Sequence, residues 1–183
     1  MKSILRTLFP IVIICFSIVT KAQEQQPMLG QMAPFFTLKA LNGKTYSLEQ
    51  LQGKYVVIHF AATWCPFCNA EAPFLQELYK NYHDRGVEVF IVDVKEDKEM
   101  VDKTLARFNF SFPVLLDEDG AVSAKYAPEG VQPDLARHEV PLASNLIIDK
   151  GGKIRYYSLL NTTAFDAKLT KLKEKLDSLL TSK

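Results

Sequence analysis

Tyr55-Val56-Val57-Ile58-His59-Phe60-Ala61-Ala62-Thr63-Trp64-Cys65-Pro66-Phe67-Cys68 holds the change of pattern on which the fold turns. Tyr55–Ala61 is a β-branched and aromatic run, the kind that sits inside a sheet covered on both faces. From Cys65 the pattern becomes helical and is predicted to continue to Arg85, with Pro66 tolerated in the first turn because its missing N–H would have no partner there. Gly86 stops that helix, and Val87–Val94 reads as a second buried strand. A strand, a crossover helix and a strand imply parallel pairing and a right-handed connection. Two cysteines three residues apart therefore stand where a buried strand ends and a helix begins.

Upstream, Phe35–Lys39 alternates enough for a strand, and Asn42-Gly43-Lys44 marks a tight turn after it. Downstream, Asp97–Phe108 fits a helix with Met100, Val101, Leu105 and Phe108 on its apolar face. Phe112–Leu116 is a short strand, Asp117–Gly120 a turn and Ala121–Tyr126 a brief helix. Ala127–Val140 is proline-rich and reads as a long loop or insertion. Ser144–Asp149 and Lys153–Leu159 flank Lys150-Gly151-Gly152 as an antiparallel hairpin. Thr163–Leu180 closes the chain as an amphipathic helix whose core face is Phe165, Leu169, Leu172, Leu176, Leu179 and Leu180. The sum is an α/β protein with a central mixed sheet and helices on both faces.

The chain has 183 residues, 48% hydrophobic and 23% charged, proportions of one globular domain. A net charge of +1 and the lack of a basic block exclude a phosphate-tracking nucleic-acid groove. Met1–Ala22 stands apart. Lys2 and Arg6 precede the mostly apolar Leu8–Val19, and Thr20-Lys21-Ala22 offers small residues where a signal peptidase cleaves. Twelve helical residues rise about 18 Å, short of a hydrocarbon core of roughly 30 Å. Residues 1–22 are thus expected to be a cleaved signal peptide or, failing that, an N-terminal anchor, with 23–183 as a single domain. Cys15 falls within that segment, preceded by Ile14 where a lipoprotein signal wants a small residue. Cleavage leaves Cys65 and Cys68 as the two cysteines and takes the net charge to −2.

At a helix N-terminus, Cys65 faces unpaired N–H groups and the positive end of the helix dipole, both favouring a thiolate. Cys68, one turn later and expected to lie deeper, is placed to close a disulfide with it, so Cys65 is the candidate nucleophile and Cys68 the resolving thiol. A purely structural disulfide over so short a step would remove little chain entropy. Zinc would need two more ligands, and His59, His83 and His138 are scattered. Haem attachment requires histidine where Asn69 stands.

Phe60–Pro73 (Phe60-Ala61-Ala62-Thr63-Trp64-Cys65-Pro66-Phe67-Cys68-Asn69-Ala70-Glu71-Ala72-Pro73) resembles the active-site segment of extracytoplasmic TlpA/ResA-type proteins in the AhpC/TSA-redoxin superfamily. Gly30–Leu38, Leu48–Lys54, Phe112–Asp117 and Val140-Pro141 followed by Leu146–Ile154 resemble the same group in the same order. The resemblance implies a thioredoxin-like fold with an N-terminal strand extension, and dithiol–disulfide chemistry at Cys65 and Cys68. It also implies a cis Val140–Pro141 bond, with the Val140 backbone binding a substrate strand by main-chain hydrogen bonds. Trp64 is then a lid and contact surface, with Pro66 and Phe67 beside it on the substrate side. Phe67 departs from the group, which places proline at the second intervening position, and this leaves the direction of electron flow open.

Two further residues are candidates for proton handling. Glu71 lies where TlpA/ResA-type proteins carry a functional acid that would take or relay the Cys68 proton; the alternative is an exposed acid favoured by the helix dipole. His59 shares a strand face with Val57 and Ala61, as a base near Cys68 or as a hydrogen-bonded core histidine. Pro73 is expected to kink the helix.

The expected function is an extracytoplasmic, periplasmic thiol–disulfide oxidoreductase acting on substrate proteins with disulfides or thiols. It needs no cofactor, metal or nucleic acid, and a membrane thiol-electron donor would re-reduce it. The alternatives are a thiol peroxidase of peroxiredoxin type, against which Ala62 stands where that chemistry wants Ser or Thr, and a redox-inert binding module on the same scaffold.

Overall fold

The computed structural model describes residues 28–127, 142–160 and 163–182. The expected export segment 1–22, the loop beyond Ala127 and the Val140–Pro141 bond lie outside the described residues.

One mixed sheet of seven strands organises these residues. Its strands are β1 (Thr37–Ala40), β2 (Thr45–Ser47), β3 (Tyr55–Ala61), β4 (Val87–Val94), β5 (Val114–Asp117), β6 (Ser144–Ile148) and β7 (Ile154–Ser158). They lie in the order β2-β1-β5-β4-β3-β6-β7. Four helices accompany them among the described residues: α1 (Pro66–Tyr82), α2 (Lys98–Leu105), α3 (Ala121–Lys125) and α4 (Thr170–Thr181). β3 and β4 match the expected bounds and pair in parallel, from Tyr55↔Val87 to Ala61↔Asp93. β6 runs antiparallel to both β3 and β7.

Period-two alternation divides the central strands between two apolar layers. Val57, Ala61, Val89 and Ile91 pack against Leu75 and Leu78 of α1 and Leu172 and Leu176 of α4. Val56, Ile58, Phe60, Phe90 and Val92 pack on the other side with Val122, Tyr126 and Phe36. Two buried tyrosines tie that layer together: Tyr126 donates to the Pro34 carbonyl at 2.6 Å, and Tyr157 to the Tyr126 carbonyl at 2.8 Å. Helices therefore cover both faces, as expected. Among the described residues, no helix is long and apolar enough to cross a membrane.

Several bounds differ from the sequence expectation, each for a local reason. β5 starts at Val114, not Phe112, since Pro113 has no N–H for the ladder. β1 begins at Thr37, where pairing with Ser47 begins. The helix expected over Cys65–Arg85 is α1, followed by a 3₁₀ turn at His83–Arg85 and Gly86 at φ 83°. It runs through Pro73 as one continuous helix. The helix expected over Asp97–Phe108 is α2 plus a 3₁₀ turn, and Met100 is exposed instead of joining the apolar face. The largest change is at the C-terminus. The helix starts at Thr170 instead of Thr163, because Leu169 takes φ 55° and Asp166 accepts the Lys171 N–H at 2.9 Å.

Asp97 caps α2 by accepting the Met100 N–H at 2.9 Å. Replacing it by alanine is expected to cost about 1 kcal/mol, read as a lowered urea midpoint. An unchanged midpoint would show that the cap contributes nothing.

Candidate active site

The segment joining β3 to α1 positions both cysteines. Cys65 is the N-cap residue of α1, and its Sγ accepts the Cys68 N–H at 3.2 Å. Pro66 occupies the first helical turn, where its missing N–H leaves no gap. Cys65 and Cys68 are joined as a disulfide, their Cα atoms 5.3 Å apart. The pair thus sits where a reduced Cys65 sulfur would receive a backbone N–H and the helix dipole. Cys68 is not the deeper of the two: the residues are 3% and 4% exposed. What separates them is the N-cap position, which aims the Cys68 N–H at Cys65 Sγ.

Trp64 is 71% exposed, the most exposed large apolar side chain among the described residues, and Pro66 is exposed beside it. Phe67 is half-buried, its ring edge-on to Phe165 with centroids 5.0 Å apart. Thr63 is held by side chains from other parts of the fold. Its N–H and hydroxyl both donate to Glu96, and its carbonyl accepts from Asn69 Nδ2 at 2.9 Å. Arg107 in turn donates to Asn69 Oδ1 at 3.1 Å.

Below the cysteines lies a buried polar network. His59 on β3 is paired across the sheet with Asn145 on β6, and His59 Nδ1 donates to Asn145 Oδ1 at 3.0 Å. Asn145 Nδ2 donates to Glu71 Oε1 at 3.1 Å, while Glu71 Oε2 lies 3.3 Å from His59 Nδ1. Glu71 is only 3% exposed, so it is not the exposed helix acid. Burial, with the nearby Asp166 charge adding to it, pushes the Glu71 carboxyl up to about 8. Burial likewise lowers His59 to about 4 against the effect of Asn145. At neutral pH this contact is therefore between a protonated carboxyl and a neutral imidazole, not an ion pair. His59 Nε2 has no hydrogen-bond partner among the described residues.

Glu71 and Asn145 also line a cavity of about 190 Å³, whose rim includes Phe165, Asp166 and Lys171. Cys68 and Glu71 are three residues apart on α1 and both buried, so they share its inward face. The structure thus brings Cys65, Cys68, Trp64, Pro66 and Phe67 together on one segment, with His59 and Glu71 in one network; Val140 and Pro141 lie outside the described residues. Sequence reasoning missed Asn145, Thr63, Asn69, Asp93 and Glu96. Asp93 carried a visible signal, as an acid in an otherwise apolar strand; the others depend on register and loop geometry.

The family model for the AhpC/TSA family matches residues 29–157. The chain is 33% identical over 133 residues to the thiol-disulfide oxidoreductase ResA of Bacillus cereus, covering 73% of this chain and 70% of that one. A secreted Mycobacterium tuberculosis disulfide oxidoreductase, described as homologous to DsbE of E. coli, superimposes with a TM-score of 0.62 at 26% identity, over 79% of this chain and 96% of that one. The thioredoxin domain of a Bacteroides vulgatus thiol-disulfide oxidoreductase superimposes with a TM-score of 0.63 at 23% identity, over 80% and 96% respectively. With a redox-ready cysteine pair at the mouth of a helix and these relatives, the chain belongs to the AhpC/TSA family, in its branch of thioredoxin-like thiol-disulfide oxidoreductases.

Proposed function

We propose that this thiol-disulfide oxidoreductase works outside the cytoplasm as a reductant of protein disulfides, with residues 1–22 as its export signal. The observation that carries the reading is the Cys68 N–H directed at Cys65 Sγ from the first turn of α1. In the reduced enzyme, the Cys65 thiolate attacks one sulfur of a substrate disulfide. The substrate S–S bond breaks, one substrate thiolate leaves and takes up a proton, and a mixed disulfide forms. Cys68, losing its proton, then attacks Cys65 Sγ, releasing the second substrate thiol and closing Cys65–Cys68. Two electrons and two protons have passed to the substrate. A membrane thiol-electron donor restores the dithiol, as an oxidising compartment requires.

Glu71 exchanges the proton of Cys68, acting as its base in the ionised form, which is the minor one at neutral pH for a carboxyl near 8. A carboxyl near 8 lies close to an ordinary thiol near 8.5, so proton transfer between them is nearly balanced. His59 and Asn145 hold that carboxyl in place. Trp64, Pro66 and Phe67 form the substrate face.

Capturing mixed disulfides with Cys68→Ala, together with the potential of the wild-type pair, tests this reading. Captured exported proteins and a potential well below about −200 mV support it; a potential near about −120 mV marks a disulfide donor instead.

A further inference from the structure

The arginines of the described residues are Arg85, Arg107 and Arg155, and they are not alike. Arg85 is ion-paired with Asp177 and Arg155 with Asp149, each at 3.2 Å. Arg107 has no such partner among the described residues. It donates from Nη2 to Asn69 Oδ1 at 3.1 Å, and its Cζ lies 4.7 Å from the centre of the Phe108 ring. A neutral amide and a ring hold a guanidinium in place without cancelling its charge. The side chain is exposed, and the Asn69 bond uses one of the five N–H donors a guanidinium carries.

Asn69 ties this charge to the redox pair. It follows Cys68 in α1, its N–H donates to the Cys65 carbonyl at 3.1 Å, and its Nδ2 donates to the Thr63 carbonyl at 2.9 Å. One side-chain amide therefore links the guanidinium to the segment that presents Trp64 and Pro66 to solvent. Acids of the surrounding elements are committed elsewhere. Glu96 accepts the N–H and hydroxyl of Thr63, Glu71 is buried with His59 and Asn145, and Asp97 caps α2. Asp102, also on α2, lines a separate groove with Tyr79 and Phe110.

We propose that Arg107 is a specificity-determining subsite for a carboxylate of the substrate protein, so that the preferred disulfides are those flanked by Asp or Glu. The inference rests on the disulfide-exchange reading and names its substrate class. As a substrate sulfur approaches Cys65, an acidic side chain beside the substrate cysteine takes N–H groups that Asn69 leaves unused. Arginine suits this role because its planar fork donates two parallel bonds to one carboxylate. Holding the fork in advance lowers the ordering cost that an exposed arginine otherwise carries into such a contact. A disulfide flanked by lysine meets like charge at the same place and is disfavoured.

Two disulfide-linked peptides that differ only in carrying Asp or Lys beside the cysteine are the probes. The ratio of their kcat/KM values with the reduced full chain is the readout, because a merely structural role for Arg107 changes both alike. Wild type is expected to favour the Asp peptide by about tenfold at low salt, and the ratio to shrink toward one at about 0.5 M salt. Arg107→Gln, which keeps a donor for Asn69, is expected to bring the low-salt ratio to about one, and Arg107→Glu to invert it. A wild-type ratio near one, or an undiminished preference in Arg107→Gln, overturns the proposal. Should neither variant fold, as judged by circular dichroism, the wild-type ratio and its salt dependence decide. Peptides with serine in place of cysteine separate binding from chemistry, their affinities read from the fluorescence of Trp64, the single tryptophan of the chain. Tighter binding of the Asp form to wild type but not to Arg107→Gln, with no exchange of any peptide, defeats the functional reading and leaves the subsite standing. Exchange of both disulfide peptides at equal rates defeats the subsite alone, and equal affinities without exchange defeat both.

Discussion

Cys65→Ser is expected to lower disulfide exchange by a factor on the order of a thousand or more, measured as thiol-dependent insulin reduction, while leaving the fold intact. The serine oxygen can still accept the Cys68 N–H that Cys65 Sγ accepts now, so the cap of α1 survives. What disappears is the only sulfur of the pair toward which the helix end directs a donor. Cys68→Ala behaves differently: the first attack proceeds, the mixed disulfide accumulates, and turnover stops one step later. The order of the two effects is what the geometry demands, because Cys65 sits at the N-cap and Cys68 inside the helix. Exchange surviving at wild-type rate in Cys65→Ser would remove the nucleophile from the position assigned to it.

Stability is expected to fall as pH rises from about 5 to about 8, at most about 1.4 kcal/mol per pH unit for each proton held by the folded chain. Glu71 and Asp93 each keep a proton in the folded state up to about 8, whereas the unfolded chain releases both near the ordinary carboxyl range. Folding therefore takes up protons across that window, and the stability these groups contribute is full at the acid end and lost as pH climbs through the folded values. His59 has the opposite sign. Held near 4 in the folded state, it binds its proton only in the unfolded chain below about 6.5, so its contribution is lost as pH falls. Two carboxyls outweigh one imidazole, and the net slope stays negative. The double substitution Glu71→Gln with Asp93→Asn is expected to abolish the fall in urea unfolding free energy between these pH values. Equal wild-type stability at both ends would show that neither carboxyl is protonated in the fold.

The central strands were legible to the residue because a parallel strand buried on both faces needs a continuous β-branched run, whatever surrounds it. Val87–Val94 satisfied that rule even with Asp93 inside it. The start of α4 was not legible, since apolar residues continue at helical spacing back to Phe165. The tertiary fold turns Phe165 onto Phe67, and the Asp166 cap with the left-handed Leu169 starts the helix at Thr170. His59 was assigned the correct sheet face by alternation alone. Its partner Asn145 was not found, because their pairing requires the antiparallel register of β6 on β3.

Local pattern is enough to define the redox pair: a buried strand, a helix opening at Pro66 and two cysteines one turn apart follow from periodicity and capping within one short segment. The protonation of the acids around it is a different kind of property. Glu71 reads in sequence as an acid early in a helix, and Asp93 as an interruption in a strand. Each becomes a neutral carboxyl only when the fold buries it, with the Asp166 charge adding to the effect at Glu71 and Glu96 at Asp93. Desolvation and the nearest charge set those states, and both come from packing between residues far apart in the chain.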